Sequence, residues 1–72
     1  MSKAERILSI YDRLTEGRIL VKRDESVRFN VDMRTIQRDL EDIRAYLMNS
    51  RQVGLELVYD KREKGYRIRR IL

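Results

Sequence analysis

The sequence predicts a small α+β domain in which three helices are followed by a two-stranded β-hairpin. Two patterns support this prediction. In the earlier part of the chain, apolar residues recur at alternating three- and four-residue steps, the spacing of amphipathic helices. Near the end, two short runs alternate apolar and polar residues, as half-buried strands do, and a polar loop leading to Gly65 separates them. We expect the 72 residues to form a single domain, 1–72.

The first helix is predicted to lie between Ser2 and Gly17. Ser2 and Glu5 have the spacing of a capping box, and glycine readily takes the left-handed conformation that ends a helix. The apolar stripe of this helix consists of Ala4, Ile7, Leu8, Tyr11 and Leu14. The apolar connector Arg18–Val21 either forms a small strand or fills part of the core.

A short second helix is predicted over Lys22–Phe29. Its apolar pattern is weak, because only Val27 and Phe29 are strongly apolar. Its first turn is acidic, which suits the positive end of the helix dipole. Asn30 tolerates the left-handed conformation that ends a helix.

A third helix is predicted over Asp32–Leu47. Asp32 is a suitable N-cap, and Val31 and Ile36 occupy the two positions of a hydrophobic staple. A short helix, a tight turn and a longer helix form the helix-turn-helix pattern. The apolar stripe predicted to be buried consists of Met33, Ile36, Leu40, Ile43 and Leu47.

The opposite side of the third helix carries groups that are able to contact the edges of DNA bases. Arg34 and Arg38 lie one turn apart on that side, with Thr35 and Gln37 on its two flanks. Guanidinium, hydroxyl and amide groups are the ones that recognise bases in the major groove. Gln37 would contact adenine, or only a phosphate or water.

The exposed middle of this helix is acidic, with Glu41 and Asp42. Because DNA would repel it, we expect the helix to enter the groove by its N-terminal end, where the dipole favours phosphate. The alternative is a solvated helix surface on which Arg34 and Arg38 pair with these carboxylates. Surface pairing with Arg38 and Arg44 is compatible with either interpretation.

The predicted strands are Leu55–Asp60 and Gly65–Ile71, preceded by a polar loop over Asn49–Gly54. A two-stranded hairpin is marginal alone, so it must pack on the helices. The side chains predicted to point inward are Leu57, Tyr66 and Ile68. Three helices and a C-terminal hairpin constitute a winged helix-turn-helix.

Two further basic groups are candidates for DNA contact. Lys61, Arg62 and Lys64 lie in the predicted hairpin loop, where they would contact phosphate or the minor groove, although charge also keeps an edge hairpin soluble. Lys22 and Arg23, at the start of the second helix, would contact backbone phosphate.

The composition limits the classes of function. With 17 Lys and Arg against 12 Asp and Glu, the net charge is +5, which favours nucleic acid as the partner and an acidic membrane surface second. Because Cys and His are both absent, the chain contains no disulfide, and we expect no zinc site and no His-based catalytic triad. The carboxylates are scattered among arginines and no nucleophile–base pair is visible, so we also expect no enzyme activity and no cofactor. No apolar run is long enough to span a membrane, so we expect a cytoplasmic protein.

Four segments carry a resemblance to a known family. They are Arg34–Leu40 (RTIQRDL), Phe29–Val31 (FNV), Tyr59–Asp60 (YD) and Gly65–Ile68 (GYRI). Together they resemble the N-terminal winged-helix domain of DeoR-like bacterial transcriptional regulators, and most of all the branch with a C-terminal WYL domain. The resemblance covers nearly the whole chain.

The resemblance implies binding of double-stranded operator DNA, with the RTIQRDL helix in the major groove. It implies DNA contact by Arg34, Thr35 and Arg38, and structural roles for Asp39 and Leu40. Relatives continue into an effector or dimerisation domain, so the resemblance allows 1–72 to be the N-terminal part of a longer, homodimeric regulator.

Two positions depart from the family pattern, because Asp32 stands where Ser is common and Glu25 where many relatives have Leu. The competing class of function is a protein-interaction module, since winged helices also bind partner proteins instead of DNA.

Overall fold

The computed structural model describes residues 2–50 and 54–71. Three helices are followed by one antiparallel hairpin, so the predicted α+β winged-helix layout is confirmed. The elements are α1 (Lys3–Thr15), α2 (Lys22–Phe29), α3 (Met33–Asn49), β1 (Leu55–Asp60) and β2 (Gly65–Arg70). The predicted loop over 49–54 falls partly outside the described residues, namely at 51–53, and Asn49 belongs to α3.

The helix ends follow the capping signals of the sequence. Ser2 and Glu5 form the predicted capping box, and Asp32 accepts the backbone N–H of Arg34 at 2.7 Å. Asn30 ends α2 in the left-handed conformation, with φ 53°. The third helix begins one residue after its cap and extends two residues beyond the predicted end at Leu47.

The core lies where α1, α3 and the hairpin meet. Its buried apolar residues are Ile10, Leu14, Leu20, Ile36, Leu40, Ile43, Leu47 and Leu57. Val31 packs against this cluster, as the predicted staple requires. Met33 was predicted to be buried with the α3 stripe, but it is 43% exposed, because it is the first residue of the helix.

The connector between α1 and α2 pairs with the hairpin. Leu20 donates its N–H to the carbonyl of Tyr66 at 2.8 Å and accepts the N–H of Tyr66 at 2.7 Å. Leu20 is also buried, so the connector is both a strand-like bridge and part of the core. This approach explains Gly65, where a Cβ would lie 2.6 Å from Ile19 Cγ2 and 2.9 Å from the Leu20 carbonyl oxygen.

The hairpin packs its predicted inner face on the helices. Leu57 is buried, and Tyr66 and Ile68 pack against the core, which confirms the prediction for these side chains. Leu57 pairs with Ile68 and Tyr59 with Tyr66 across the strands. The second strand ends at Arg70, one residue before the predicted end.

Two buried ion pairs attach α1 to the other helices. Arg6 donates to both carboxylate oxygens of Asp39 at 2.5 and 3.1 Å, and Arg13 donates to both oxygens of Glu25 at 2.8 and 2.6 Å. The carboxylates are almost fully buried, with 1% and 4% of the side chain exposed. The hydrogen bond to Asp39 raises the pKa of the Arg6 guanidinium above its ordinary value.

Candidate nucleic-acid interface

The first two turns of α3 present two exposed arginines. Asp32 caps the helix through the N–H of Arg34, and the carbonyl of Asp32 accepts the N–H groups of Thr35 and Ile36 at 3.0 and 3.3 Å. Arg34 and Arg38 are exposed one turn apart on this capped segment. Within 2–50 and 54–71, neither guanidinium forms an ion pair or a hydrogen bond. Their donors are therefore available to a ligand.

The acidic residues of α3 have partners other than these arginines. Glu41 accepts a hydrogen bond from Gln37 at 3.1 Å, and Asp42 lies 3.8 Å from the Lys3 amino group. The surface pairs considered from the sequence, which would join these carboxylates to Arg38 or Arg44, do not form in the described part of the chain.

Thr35 and Gln37 are both half-buried on the flanks of the arginine face. Both polar atoms of the Gln37 side chain form hydrogen bonds: its Oε1 accepts from Lys22 Nζ at 2.9 Å and lies 3.5 Å from the Tyr66 hydroxyl. Its Nε2 donates to Glu41. The strand pattern placed Tyr66 in the core and did not predict a partner for its hydroxyl, although tyrosine commonly has one apolar and one polar end.

The start of α2 lies beside the second turn of α3. Lys22 is half-buried and uses one of its donors on Gln37, whereas Arg23 is exposed. A lysine ammonium has three donors, so two remain for other acceptors. The structure thus brings one predicted phosphate contact close to the predicted base-contacting helix.

The hairpin tip is a basic loop organised by one acidic side chain. Asp60 Oδ1 accepts the N–H groups of Arg62 and Glu63 at 2.9 and 3.0 Å, and Oδ2 accepts from Arg67 at 2.9 Å. These bonds, first that from the N–H of Glu63, hold the pKa of Asp60 below its ordinary value. Lys64 closes the loop in the left-handed conformation, with φ 57°.

The cations of this tip differ from those of the hairpin face. Lys61, Arg62 and Lys64 are exposed and form no ion pair within the described ranges. On the strands, Arg67 pairs with Asp60 and Arg69 pairs with Glu56. The tip therefore carries three exposed cations without an ion-pair partner in the described residues, and Arg70 at the end of β2 is a fourth such cation. No direct bond joins the tip to the arginine face of α3 among the residues described.

No group of three or more potential metal ligands occurs within 2–50 and 54–71. None of the helices there is both long and apolar enough to cross a bilayer.

The fold and its exposed cations define a winged-helix domain with a basic helix face and a basic wing tip. The wing is the hairpin formed by β1 and β2, and its tip is residues 61–64. Comparison with models of known families, with curated proteins and with solved structures found no significant match to this chain.

Proposed function

We propose that the protein binds double-stranded DNA sequence-specifically, as the recognition domain of a transcriptional regulator. One observation carries the proposal: Arg34 and Arg38 are exposed one turn apart at the capped start of α3, and neither has an ion-pair partner in the described residues. Arginine is the side chain best suited to bidentate contact with guanine O6 and N7. Two such forks on a winged-helix scaffold form a suitable base-contacting surface.

The charge along α3 sets the orientation of the proposed complex. The N-terminal turns carry Arg34 and Arg38, and the N-terminal end of the helix dipole attracts phosphate. Glu41 and Asp42 follow on the exposed surface and would be repelled by the backbone. The helix therefore enters the major groove by its N-terminal end, and Thr35 adds a hydroxyl at the edge of the contact surface.

The remaining cations position the domain on the duplex. Lys61, Arg62 and Lys64 contact phosphate or the minor groove from the wing tip, and Lys22 and Arg23 contact phosphate beside α3. These contacts carry no base information themselves, but they orient the arginines that do.

The sequence resemblance supports a more specific form of the proposal. A regulator of the DeoR-like, WYL-containing branch acts in the bacterial cytoplasm and binds its operator as a homodimer. A palindromic operator matches such a dimer, with half-sites one or more helical turns apart.

The test compares two variants on operator sites selected from random duplexes with an artificially dimerised domain. Wild-type affinity should fall steeply with salt concentration. Arg38→Ala should reduce the preference among sequences by about ten- to a hundredfold at one base pair. Lys61→Ala should weaken binding to all sequences alike and reduce the salt slope by about one unit. Wild-type binding by both variants would refute these roles, and no wild-type affinity at low salt would refute the function.

A protein-interaction module is the second candidate, and one observation favours it. The groove between α1 and α3 is apolar, and Leu8 and Tyr46 beside it are 61% and 57% exposed. A domain that lacks DNA affinity at low salt and binds a purified protein through this groove would fit this candidate. Leu8→Ser should then abolish that binding.

A further inference from the structure

Gln37 lies at the centre of a polar junction that joins three segments of the chain. We define the junction as Lys22, Gln37, Glu41 and Tyr66. Lys22 is the first residue of α2, Gln37 lies in the second turn of α3, and Tyr66 is the second residue of β2. The bonds to the Gln37 side chain measure 2.9 Å from Lys22, 3.1 Å to Glu41 and 3.5 Å from Tyr66.

The neighbours of Gln37 determine which way its amide points. The Lys22 ammonium can only donate, so it must face the amide oxygen. The Glu41 carboxylate only accepts when ionised, so it must face the amide nitrogen. A rotation of the amide by half a turn would replace both bonds with repulsive contacts.

Other contacts hold both the backbone and the ring of Tyr66. The hydrogen bond from its hydroxyl to Gln37 therefore helps to fix the position of the hairpin relative to α3. Its backbone pairs twice with Leu20, at 2.7 and 2.8 Å, and its ring meets the edge of the Tyr59 ring with centroids 5.2 Å apart. The junction therefore fixes the position of the wing relative to α3, the helix that carries Arg34 and Arg38.

We propose that Gln37 is a positioning residue, which holds the wing and the start of α2 in register with the second turn of α3. The proposal rests on DNA binding as the proposed function. Bidentate contact with adenine requires both the oxygen and the nitrogen of a glutamine amide. Here the oxygen faces Lys22 and Tyr66 and the nitrogen faces Glu41. Gln37 thereby sets the spacing between the helix contacts and the wing contacts on DNA.

The first variant, Gln37→Met, keeps the length of the side chain and removes its three hydrogen bonds. We expect affinity for all DNA sequences to fall about three- to tenfold, no more than the effect of one typical hydrogen bond, because the substitution loosens the wing and removes no contact with DNA. We also expect the loss caused by Lys61→Ala to be smaller in the Gln37→Met background, because the wing is then no longer held in place. Equal losses in both backgrounds would contradict the proposal.

The second variant exchanges the donor and the acceptor of the hydrogen bond between positions 37 and 41 and keeps the net charge. In Gln37→Glu with Glu41→Gln, the carboxylate introduced at position 37 accepts from Lys22, Tyr66 and the new amide. We expect the double variant to restore wild-type affinity and sequence preference, whereas Gln37→Glu alone places two carboxylates together and binds more weakly. Loss of preference at one base pair in the double variant would show that Gln37 contacts a base and would overturn the proposal.

A measurement without DNA separates this proposal from the proposed function. Hydrogen exchange at the amides of Leu20 and Tyr66 reports whether the wing is held against the connector. We expect selective acceleration of these two amides in Gln37→Met and wild-type rates in the double variant. Unchanged rates, or equal acceleration of every core amide, would refute positioning. If the wild-type domain fails to bind DNA at low salt, the proposed function fails, and the exchange rates alone decide whether Gln37 positions the wing.

Discussion

The arginines of α1 and the arginines of α3 have opposite environments. Arg6 and Arg13 have only 11% and 12% of their side chains exposed, and each forms a bidentate pair with a buried carboxylate. Arg34 and Arg38 are exposed and form no ion pair within 2–50 and 54–71. The first two use their donors to hold helices together, whereas the second two keep their donors for an external acceptor. The count of 17 Lys and Arg therefore overstates the number of cations that are available to a partner, whereas the net charge of +5 is unaffected because each buried pair is neutral.

The largest effect is expected when the buried ion pair between Arg6 and Asp39 is broken. Asp39→Ala leaves Arg6 buried without its carboxylate, and the free energy of unfolding should fall by about 3–5 kcal/mol. The matched control is Asp42→Ala, which removes the exposed partner of Lys3 and should cost about 1 kcal/mol or less. Urea denaturation followed by circular dichroism measures both losses. Equal losses would mean that burial does not distinguish the two pairs.

The second buried pair offers a test by replacement. Glu25→Leu alone leaves Arg13 unpaired and should destabilise the domain by about 3–5 kcal/mol. Arg13→Met combined with Glu25→Leu removes both charges and should restore most of that loss, since apolar residues often replace a buried pair without cost. Thermal denaturation of both variants checks this. A double variant as unstable as Glu25→Leu would show that the pair cannot be replaced by packing.

Replacing an exposed, unpaired arginine of α3 should reduce DNA affinity without affecting folding. Arg34→Ala should weaken binding to a selected site by about 1–3 kcal/mol and change the unfolding free energy by less than about 0.5 kcal/mol. Arg69→Ala is the control, because Arg69 is also exposed but pairs with Glu56. Fluorescence anisotropy should show little change for it. Equal losses of affinity would mean that pairing does not decide which arginines contact DNA.

The smallest expected effect concerns the wing tip in acid. Bonds from the N–H groups of Glu63 and Arg62 and from Arg67 hold the pKa of Asp60 below its ordinary value. The stabilisation by Asp60 is therefore complete above about pH 3.9, the ordinary aspartate pKa, and is lost as the pH falls through the lower folded-state pKa. An acid titration by NMR should show the amides of Arg62 and Glu63 shifting together with the Asp60 carboxyl. Asp60→Asn should remove this transition, and a transition that persisted would assign it to another group.

Local signals explain why the element boundaries were predictable. The Ser2 and Asp32 caps and the left-handed Asn30 each act within a few residues of the helix end that they determine. The inner face of the hairpin was predictable because strand residues alternate between two faces. These inferences required no knowledge of how the helices pack.

The buried pairs and the polar junction depend on tertiary contacts, so the sequence alone did not identify them. Arg6 and Asp39 are 33 positions apart, and each resembles an ordinary surface charge in its own helix. Two signals pointed to a structural role for Asp39: it lies close to Ile36 and Ile43 on the helical wheel, and the family resemblance implies such a role.

The second helix, whose apolar pattern is weak, is another case in which a tertiary contact could not be predicted from the sequence. Val27 is one of the two strongly apolar residues of this helix, yet Val27 is 76% exposed and Glu25 is the buried residue. Glu25, which departs from the family resemblance by replacing Leu, is balanced by Arg13 in α1. The apolar pattern of one helix cannot reveal that a charged residue in another helix balances a buried charge.

The close contact at Gly65 separates the anchored base of the wing from its tip. The base is bonded to the connector through the backbone pair of Leu20 and Tyr66, and a Cβ at Gly65 would clash with Ile19 and the Leu20 carbonyl, whereas residues 61–64 are exposed. Doubling the length of such a loop costs only about 0.6 kcal/mol in closure entropy. The reach of the wing is therefore a quantity that insertions could change during evolution while the rest of the fold stays the same.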